Sequence, residues 1–299
     1  MSAEILNGVE MAAEVRSQVA STVQEMKSKH SVTPGLAVVL VGDDPASAVY
    51  VRSKERAAVE AGMVSKGIML PAETSQKEVL EVVRALNDDP AYHGVLVQLP
   101  LPSHIDENAV IEAVDPGKDV DGLHPYNMGL LMAGRSRFAP ATPAGIQHML
   151  VHSGNDPKGK HVVVCGRSNI VGKPIANMLM QRGPGGNATV TVCHTRTRDL
   201  PSITRQADIL IAAVGQPQMI TADMVKVGVV VIDVGVNRVE DASRKRGYRL
   251  VGDVDFEAVS KKAKAITPVP GGVGPMTIAM LLRNTVDAAR RTIHPEHSE

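Results

Sequence analysis

Val162-Val163-Val164-Cys165-Gly166-Arg167-Ser168-Asn169-Ile170-Val171-Gly172-Lys173-Pro174 is the stretch on which the fold turns. An apolar run breaks at a glycine, a second glycine follows six residues on, and a helical pattern begins at about Lys173. A glycine turn between a buried parallel strand and a helix lets backbone N–H groups and the helix N-terminus face a pyrophosphate. The match to Gly-x-Gly-x-x-Gly is imperfect, because Ser168 stands where the second glycine would be. Such turns also occur for purely structural reasons, so this feature alone leaves both readings open.

Working outward, His161 to Cys165, Ala188 to Cys193, Asp208 to Val214 and Val229 to Val234 are short runs rich in Val and Ile. They are too continuous to keep a solvent face and predict a doubly wound, Rossmann-type domain with a parallel sheet. Gly154-Asn155-Asp156-Pro157 reads as the linker before it. Upstream, Met11, Val15, Val19, Val23 and Met26 form the stripe of an amphipathic helix. Strand-helix units then follow: Leu36 to Val41, a helix from Pro45 to about Gly62 with Asp44 as N-cap, Gly67 to Leu70, a helix from Ser75 to Asn87, and a third strand, Gly94 to Leu99. A further helical segment lies near Gly145 to Val151. The last pattern, Met276 to about Arg291, is amphipathic and could pack on its own domain or return to the first.

The next strand of the second domain bears on the cofactor. Many NAD sites end this strand in an acid that accepts from the ribose hydroxyls, whereas here Val192-Cys193 runs into His194-Thr195-Arg196-Thr197-Arg198. No acid stands there to repel a 2′-phosphate, and Arg167, Thr195 and Arg196 can supply charge-assisted bonds to one. The residues therefore point to NADP over NAD; the bland alternative is that the arginines are solvated surface.

In the first domain Tyr50 and Lys54 are four apart on one helical face. A helical Lys is ordinarily a surface charge, but Gln98 is a polar amide at the carboxyl end of an apolar strand, where open parallel sheets place their ligand crevices. Lys118-Asp119-Val120-Asp121-Gly122 brings two carboxylates into one loop. Its bland reading is a solvated turn, and a metal site would lack further ligands.

Composition excludes several classes. The 299 residues suit roughly two domains, and 32 basic against 32 acidic side chains leave no net attraction for nucleic acid or anionic lipid. With 43 % hydrophobic and 21 % charged residues the chain is ordinary for a globular protein, with fourteen Met and no Trp to fill the core. Two cysteines, Cys165 and Cys193, make no disulfide framework or zinc spacing and suit a reducing compartment. No run approaches a membrane span, and Glu4, Glu10 and Glu14 speak against a presequence, so the expected location is the cytoplasm.

Tyr50-Val51-Arg52-Ser53-Lys54, Val97-Gln98-Leu99-Pro100-Leu101-Pro102, Asp119-Val120-Asp121-Gly122, Gly166-Arg167-Ser168 through Pro174 and Pro270-Gly271-Gly272-Val273-Gly274-Pro275-Met276-Thr277 occur in that order along nearly the whole chain. In these motifs the sequence resembles the bifunctional methylenetetrahydrofolate dehydrogenase/cyclohydrolase family. The resemblance implies an α/β protein of two domains: an N-terminal three-layer domain and an NADP-binding Rossmann domain, with a cleft between them. The implied division is 1–145, joined by a C-terminal helix over 276–299, for folate binding and catalysis, and 146–275 for NADP.

The resemblance further implies a homodimer that oxidises 5,10-methylenetetrahydrofolate with NADP and hydrolyses the methenyl product to 10-formyltetrahydrofolate. By it Lys54 is the main catalytic group, Tyr50 and Gln98 orient it, Asp121 holds the pterin, and Pro270, Gly271 and Gly272 line the folate cleft. Gly166, Arg167, Ser168, Ile170, Val171, Gly172, Thr195 and Arg196 form the expected cofactor set, and no metal is expected. One departure is Pro140-Ala141-Thr142-Pro143, where the family often has Cys in place of Ala141, so a required thiol at that position is excluded. Two rival readings are another NADP-linked dehydrogenase of similar build and a noncatalytic NADP sensor. The first leaves Gln98 and the Pro270–Pro275 run unexplained, and the second sits poorly with the retention of Tyr50, Lys54, Gln98 and Asp121.

Overall fold

The computed structural model describes residues 3–244 and 247–293. The chain divides into two compact units, Ala13–Ala141 with Ile278–Glu299, and Met1–Ala12 with Thr142–Thr277.

The first of these units is built on three parallel strands, with Gly35–Val41 between Val64–Leu70 and Gly94–Val97. Every residue of the central strand is buried, as its unbroken apolar run requires of a strand covered on both faces. Helix Pro45–Glu60 starts where expected: the Asp44 carboxylate accepts from Ser47 N at 2.7 Å and Pro45 takes the first turn. Ser75 opens helix Gln76–Asp88 with a reciprocal cap to Glu78, and the helix buries Val79, Val83 and Leu86 against Val39, Val95 and Val97. The third strand stops at Val97, two residues short of the sequence expectation, which leaves Gln98 just beyond the ladder.

Two short helices, Glu107–Ala113 and Pro125–Met132, were not evident in the sequence because neither is long enough to show a period. Helix Val273–Ile293 contributes its residues from Ile278 onward to this unit, where Asn284 and Thr285 pack beside the third strand and its following loop. The remainder of the expected 276–299 helix, residues 294–299, lies outside the described residues.

The second unit carries a six-stranded sheet, parallel throughout, in the order Glu4–Ile5, Ala265–Ile266, Val230–Asp233, Ile209–Ala212, His161–Cys165, Thr189–Cys193. From His161–Cys165 the chain passes first to one side and then to the other, so the strand order reverses there and leaves a crevice at the carboxyl ends of Cys165, Cys193 and Ala212.

Two expectations are corrected here. Residues 1–12 belong with this unit rather than with the first domain, since Glu4–Ile5 pairs with Ala265–Ile266 and Leu6 N donates to the Ile266 carbonyl at 2.9 Å. A two-residue strand has no pattern to read; its value is to pair the sheet's open edge. Thr189–Cys193, expected to be buried on both faces, is an edge strand with exposed Thr189 and Val192, because nothing pairs beyond it among the described residues. An antiparallel hairpin, Asn237–Glu240 with Tyr248–Val251, stands apart from the sheet.

Candidate active site and cofactor site

Helix Pro45–Glu60 places Tyr50 and Lys54 on one face, one turn apart. Lys54 is not a surface charge: only 4 % of it is exposed. Its Nζ lies 2.9 Å from Gln98 Oε1 and 4.7 Å from the centre of the Tyr50 ring. Gln98 Nε2 donates to the Leu99 carbonyl at 2.7 Å, which turns the amide so that its oxygen faces the lysine. Burial pushes the Lys54 ammonium down to about 8, against the opposing pull of the Asp121 carboxylate. Near neutrality the amine thus has a sizeable neutral fraction, held by an acceptor that suits both of its protonation states.

Asp121 is partly buried in the loop after the third strand. Burial raises its carboxyl, the Lys54 charge lowers it, and Asp119 raises it again. Among the described residues no protein group donates a hydrogen bond to Asp121, so both oxygens remain for a ligand. Asp119 has the opposite fate. It is buried and accepts from Leu123 N at 3.2 Å, His124 N at 2.8 Å and Asn127 Nδ2 at 2.8 Å. Of the two carboxylates that looked alike in sequence, one ties the loop and the other receives no hydrogen bond among the described residues.

The loop is anchored upstream as well. Lys118 Nζ donates to the Leu86 and Asp89 carbonyls at 3.0 and 2.8 Å, at the end of helix Gln76–Asp88. Gly122 has a φ of +69°, and a Cβ there would lie 2.9 Å from Pro140 N, so glycine is required by both conformation and close approach.

In the other unit a cavity of about 270 Å³ opens at the carboxyl ends of the strands. Cys165, Gly166, Arg167, Ser168, His194 and Thr195 line it, together with Ala213, Val214 and Gln216. Gly166 has a φ of +127° and a Cβ on it would overlap the Ala213 carbonyl oxygen, while a Cβ on Gly172 would overlap the carbonyl of Gly166. Only bare backbone fits at both points, so the two glycines fix the tight strand-to-helix turn by packing it on neighbouring backbone. Ser168 explains the imperfect glycine motif. Its Oγ accepts from Val171 N at 3.1 Å and Gly172 N at 3.4 Å, occupying helix-end donors that a glycine would leave open.

Arg167 and Arg196 are exposed, and neither is paired with a carboxylate among the described residues. Arg167 and Thr195 border the cavity; Ile170, Val171 and Arg196 are not among its lining residues. The Cys165 and Cys193 thiols sit opposite each other in register on the cavity wall, and burial pushes Cys165 up to about 12, so both are unreactive lining. Donors, a glycine cradle and the absence of an acid at the strand end all fit a phosphorylated dinucleotide.

Pro270, Gly271 and Gly272 fall in this same unit and not in the unit of Lys54. Gly271 has a φ of +104°, and the Gly272 carbonyl lies so close to Gly8 that any side chain on Gly8 would overlap it. The sequence did not disclose Asp233 and Asp253, both buried. Asp253 accepts from Val214 N at 2.7 Å and Gly215 N at 2.9 Å and so holds the cavity wall, while Asp233 accepts from Gly235, Asp253 and Val254 N. Burial pushes Asp233 up to about 6 against those donors. An Asp in Gly252-Asp253 looks like any turn residue, so only the fold reveals its role.

Comparison with known proteins gives the same picture over the whole chain. Residues 6–121 match the model of the tetrahydrofolate dehydrogenase/cyclohydrolase catalytic domain, and residues 140–293 that of the family's NAD(P)-binding domain. The bifunctional protein FolD of Moorella thermoacetica is 59 % identical over 97 % of this chain and 100 % of its own, and that of Parvibaculum lavamentivorans 58 % over 97 % of each. Among solved structures, the Campylobacter jejuni FolD methylenetetrahydrofolate dehydrogenase/cyclohydrolase superposes with a TM-score of 0.91 at 47 % identity, covering 97 % of this chain and 100 % of the other. The Trypanosoma brucei FolD, complexed with NADP cofactor and inhibitor, gives 0.94 at 38 % identity over 98 % and 99 %.

Proposed function

The chain belongs to the tetrahydrofolate dehydrogenase/cyclohydrolase family, and from that premise and the two sites above we propose how its residues divide the work. The enzyme oxidises 5,10-methylenetetrahydrofolate with NADP and hydrolyses the 5,10-methenyl product to 10-formyltetrahydrofolate. NADP, when bound, supplies the hydride acceptor of the first step. Gly166 and Gly172 hold the strand-to-helix turn in the closely packed path that presents the loop to its phosphates, and Arg167 with Thr195 receives the 2′-phosphate by charge-assisted bonds; Arg196 adds charge from the same turn.

Oxidation leaves a resonance-stabilised cation and asks the protein mainly to hold its ligands in place. Hydrolysis asks for more: a water must lose a proton as its oxygen bonds to the methenyl carbon, and a ring nitrogen must gain one as the carbon–nitrogen bond breaks. Lys54 takes the water's first proton through its neutral amine and returns it to the departing ring nitrogen, and the proton left on the carbinol oxygen passes to solvent as the formyl C=O forms, so that the cationic substrate and water give the formyl product and one released proton. A cationic substrate beside it favours the neutral amine further. Gln98 keeps the Nζ aimed while its charge changes, and the Tyr50 ring covers the amine and offers a flat face to the pterin. Asp121, to which no group donates among the described residues, accepts paired hydrogen bonds from the aminopyrimidine edge. Pro270, Gly271 and Gly272 belong to the same substrate reading, as a segment whose backbone approaches a flat ligand unobstructed. No helix among the described residues is long and apolar enough to cross a membrane, and the assembly in this reading is a cytoplasmic homodimer.

The observation that carries the assignment is the buried Lys54 amine on Gln98. Lys54→Met tests it. Methenyl hydrolysis, followed by the decay of methenyl absorbance, is expected to fall at least about a hundredfold, as removal of a general base does, with NADP affinity unchanged and oxidation still measurable. A variant that hydrolyses the methenyl compound at the parental rate overturns the role.

A further inference from the structure

Asn284 lies on helix Val273–Ile293, buried among apolar neighbours and only 8 % exposed. Its Nδ2 donates to two backbone carbonyls at once, Val120 at 2.8 Å and Ala139 at 2.9 Å. Val120 precedes Asp121 directly, and the 138–140 segment is the one against which Gly122 is pressed. Asp121 therefore sits between two restraints: Asn284 clamps the residue before it, and the Asp119 carboxylate gathers Leu123 N, His124 N and Asn127 Nδ2 after it. Both carbonyls are far in sequence from the amide that joins them.

We propose that Asn284 is a positioning residue for substrate: it fixes the Asp121 loop in the orientation that receives the pterin, which rests on the pterin role given to Asp121 above. A carboxylate with no protein donor of its own is aimed only by the backbone that bears it, and a paired hydrogen bond to a flat heterocycle tolerates little misalignment. One primary amide, with two N–H groups and two carbonyls in reach, holds that backbone at a buried place where losing either bond leaves an unpaired carbonyl.

The test is a double-mutant cycle on the full-length protein, titrating tetrahydrofolate and NADP separately into the parent, Asn284→Leu, Asp121→Ala and the double variant. Asn284→Leu is expected to raise the tetrahydrofolate Kd at least about tenfold, the size expected for two lost buried bonds, with the NADP Kd within about twofold, and to add nothing once Asp121 is already Ala. Equal loss in both backgrounds, or no loss in the parent background, overturns the proposal. If Asp121→Ala leaves the tetrahydrofolate Kd unchanged, it is the pterin reading that fails, and the proposal with it. Should Asn284→Leu also weaken NADP, Asn284→Ser, which keeps a polar side chain, is judged by the same pattern: coupling to Asp121 supports the proposal and additivity overturns it.

Discussion

The Lys54 site and the Gly166 loop solve opposite problems with opposite materials. At the first, a few polar side chains are buried and displaced from their ordinary chemistry, Lys54 downward and Asp121 upward. At the second, what matters is atoms that are missing: two glycines let the turn pack on neighbouring backbone where any Cβ would overlap a carbonyl, and the charges that accompany them are exposed. A site for proton transfer needs a group whose pKa has been moved near the working pH, which only burial and neighbouring charge achieve. A site for a large anionic ligand needs access and donors, and burial would close it.

Three outcomes can break or sharpen that contrast. The largest effect is expected from Gly166→Ala, whose Cβ meets the Ala213 carbonyl from a φ of +127°. NADP affinity measured by titration should fall at least about a hundredfold, a few kcal/mol of strain in a displaced loop, while tetrahydrofolate binding stays; a parental NADP Kd would show that the path of this turn does not set NADP binding. Arg167→Ala is expected to come next, weakening NADP by about tenfold to a hundredfold, the range for bonds to a charged group, with NAD affinity nearly unchanged. Arg196→Ala should do the same to a smaller degree, because its side chain stands off the cavity. Equal losses for NADP and NAD would remove the 2′-phosphate from the account.

The smallest effect is a shift along the pH axis. With the neutral amine as the proposed base, hydrolysis should rise with pH and level off above about 8, where Lys54 loses its proton. Asp121→Asn removes the negative charge that favours the ammonium form, so the amine should deprotonate at lower pH and the plateau begin earlier. A midpoint that stays in place or moves upward, in profiles taken at saturating methenyl substrate, would separate Asp121 from Lys54 electrically.

Much of this was legible in the chain. The continuous Val and Ile runs read as strands of a parallel sheet, and Asp44-Pro45 marked a helix start that the structure reproduces. Candidate residues could be picked out where a type was out of place, as with Gln98 at the end of an apolar strand. Asn284 and Asp253 escaped because an Asn on a helix and an Asp in a turn are ordinary, and nothing local distinguishes a buried clamp from a solvated surface group. Thr189–Cys193 was misjudged for a related reason: composition reports that a strand is apolar, not whether it has a neighbour on each side.

The sequence by itself determined the strand-helix alternation, the glycine turn and which residues are candidates for the site, since these depend on side-chain type and near spacing alone. Only the tertiary structure decided that Lys54 is buried and held by Gln98, that Asp119 is tied and Asp121 is not, and that Glu4–Ile5 closes the edge of a distant strand. Those outcomes rest on desolvation and on which hydrogen bonds form, whether over 8 positions from Asp119 to Asn127 or over 44 from Lys54 to Gln98, and no local pattern encodes that choice.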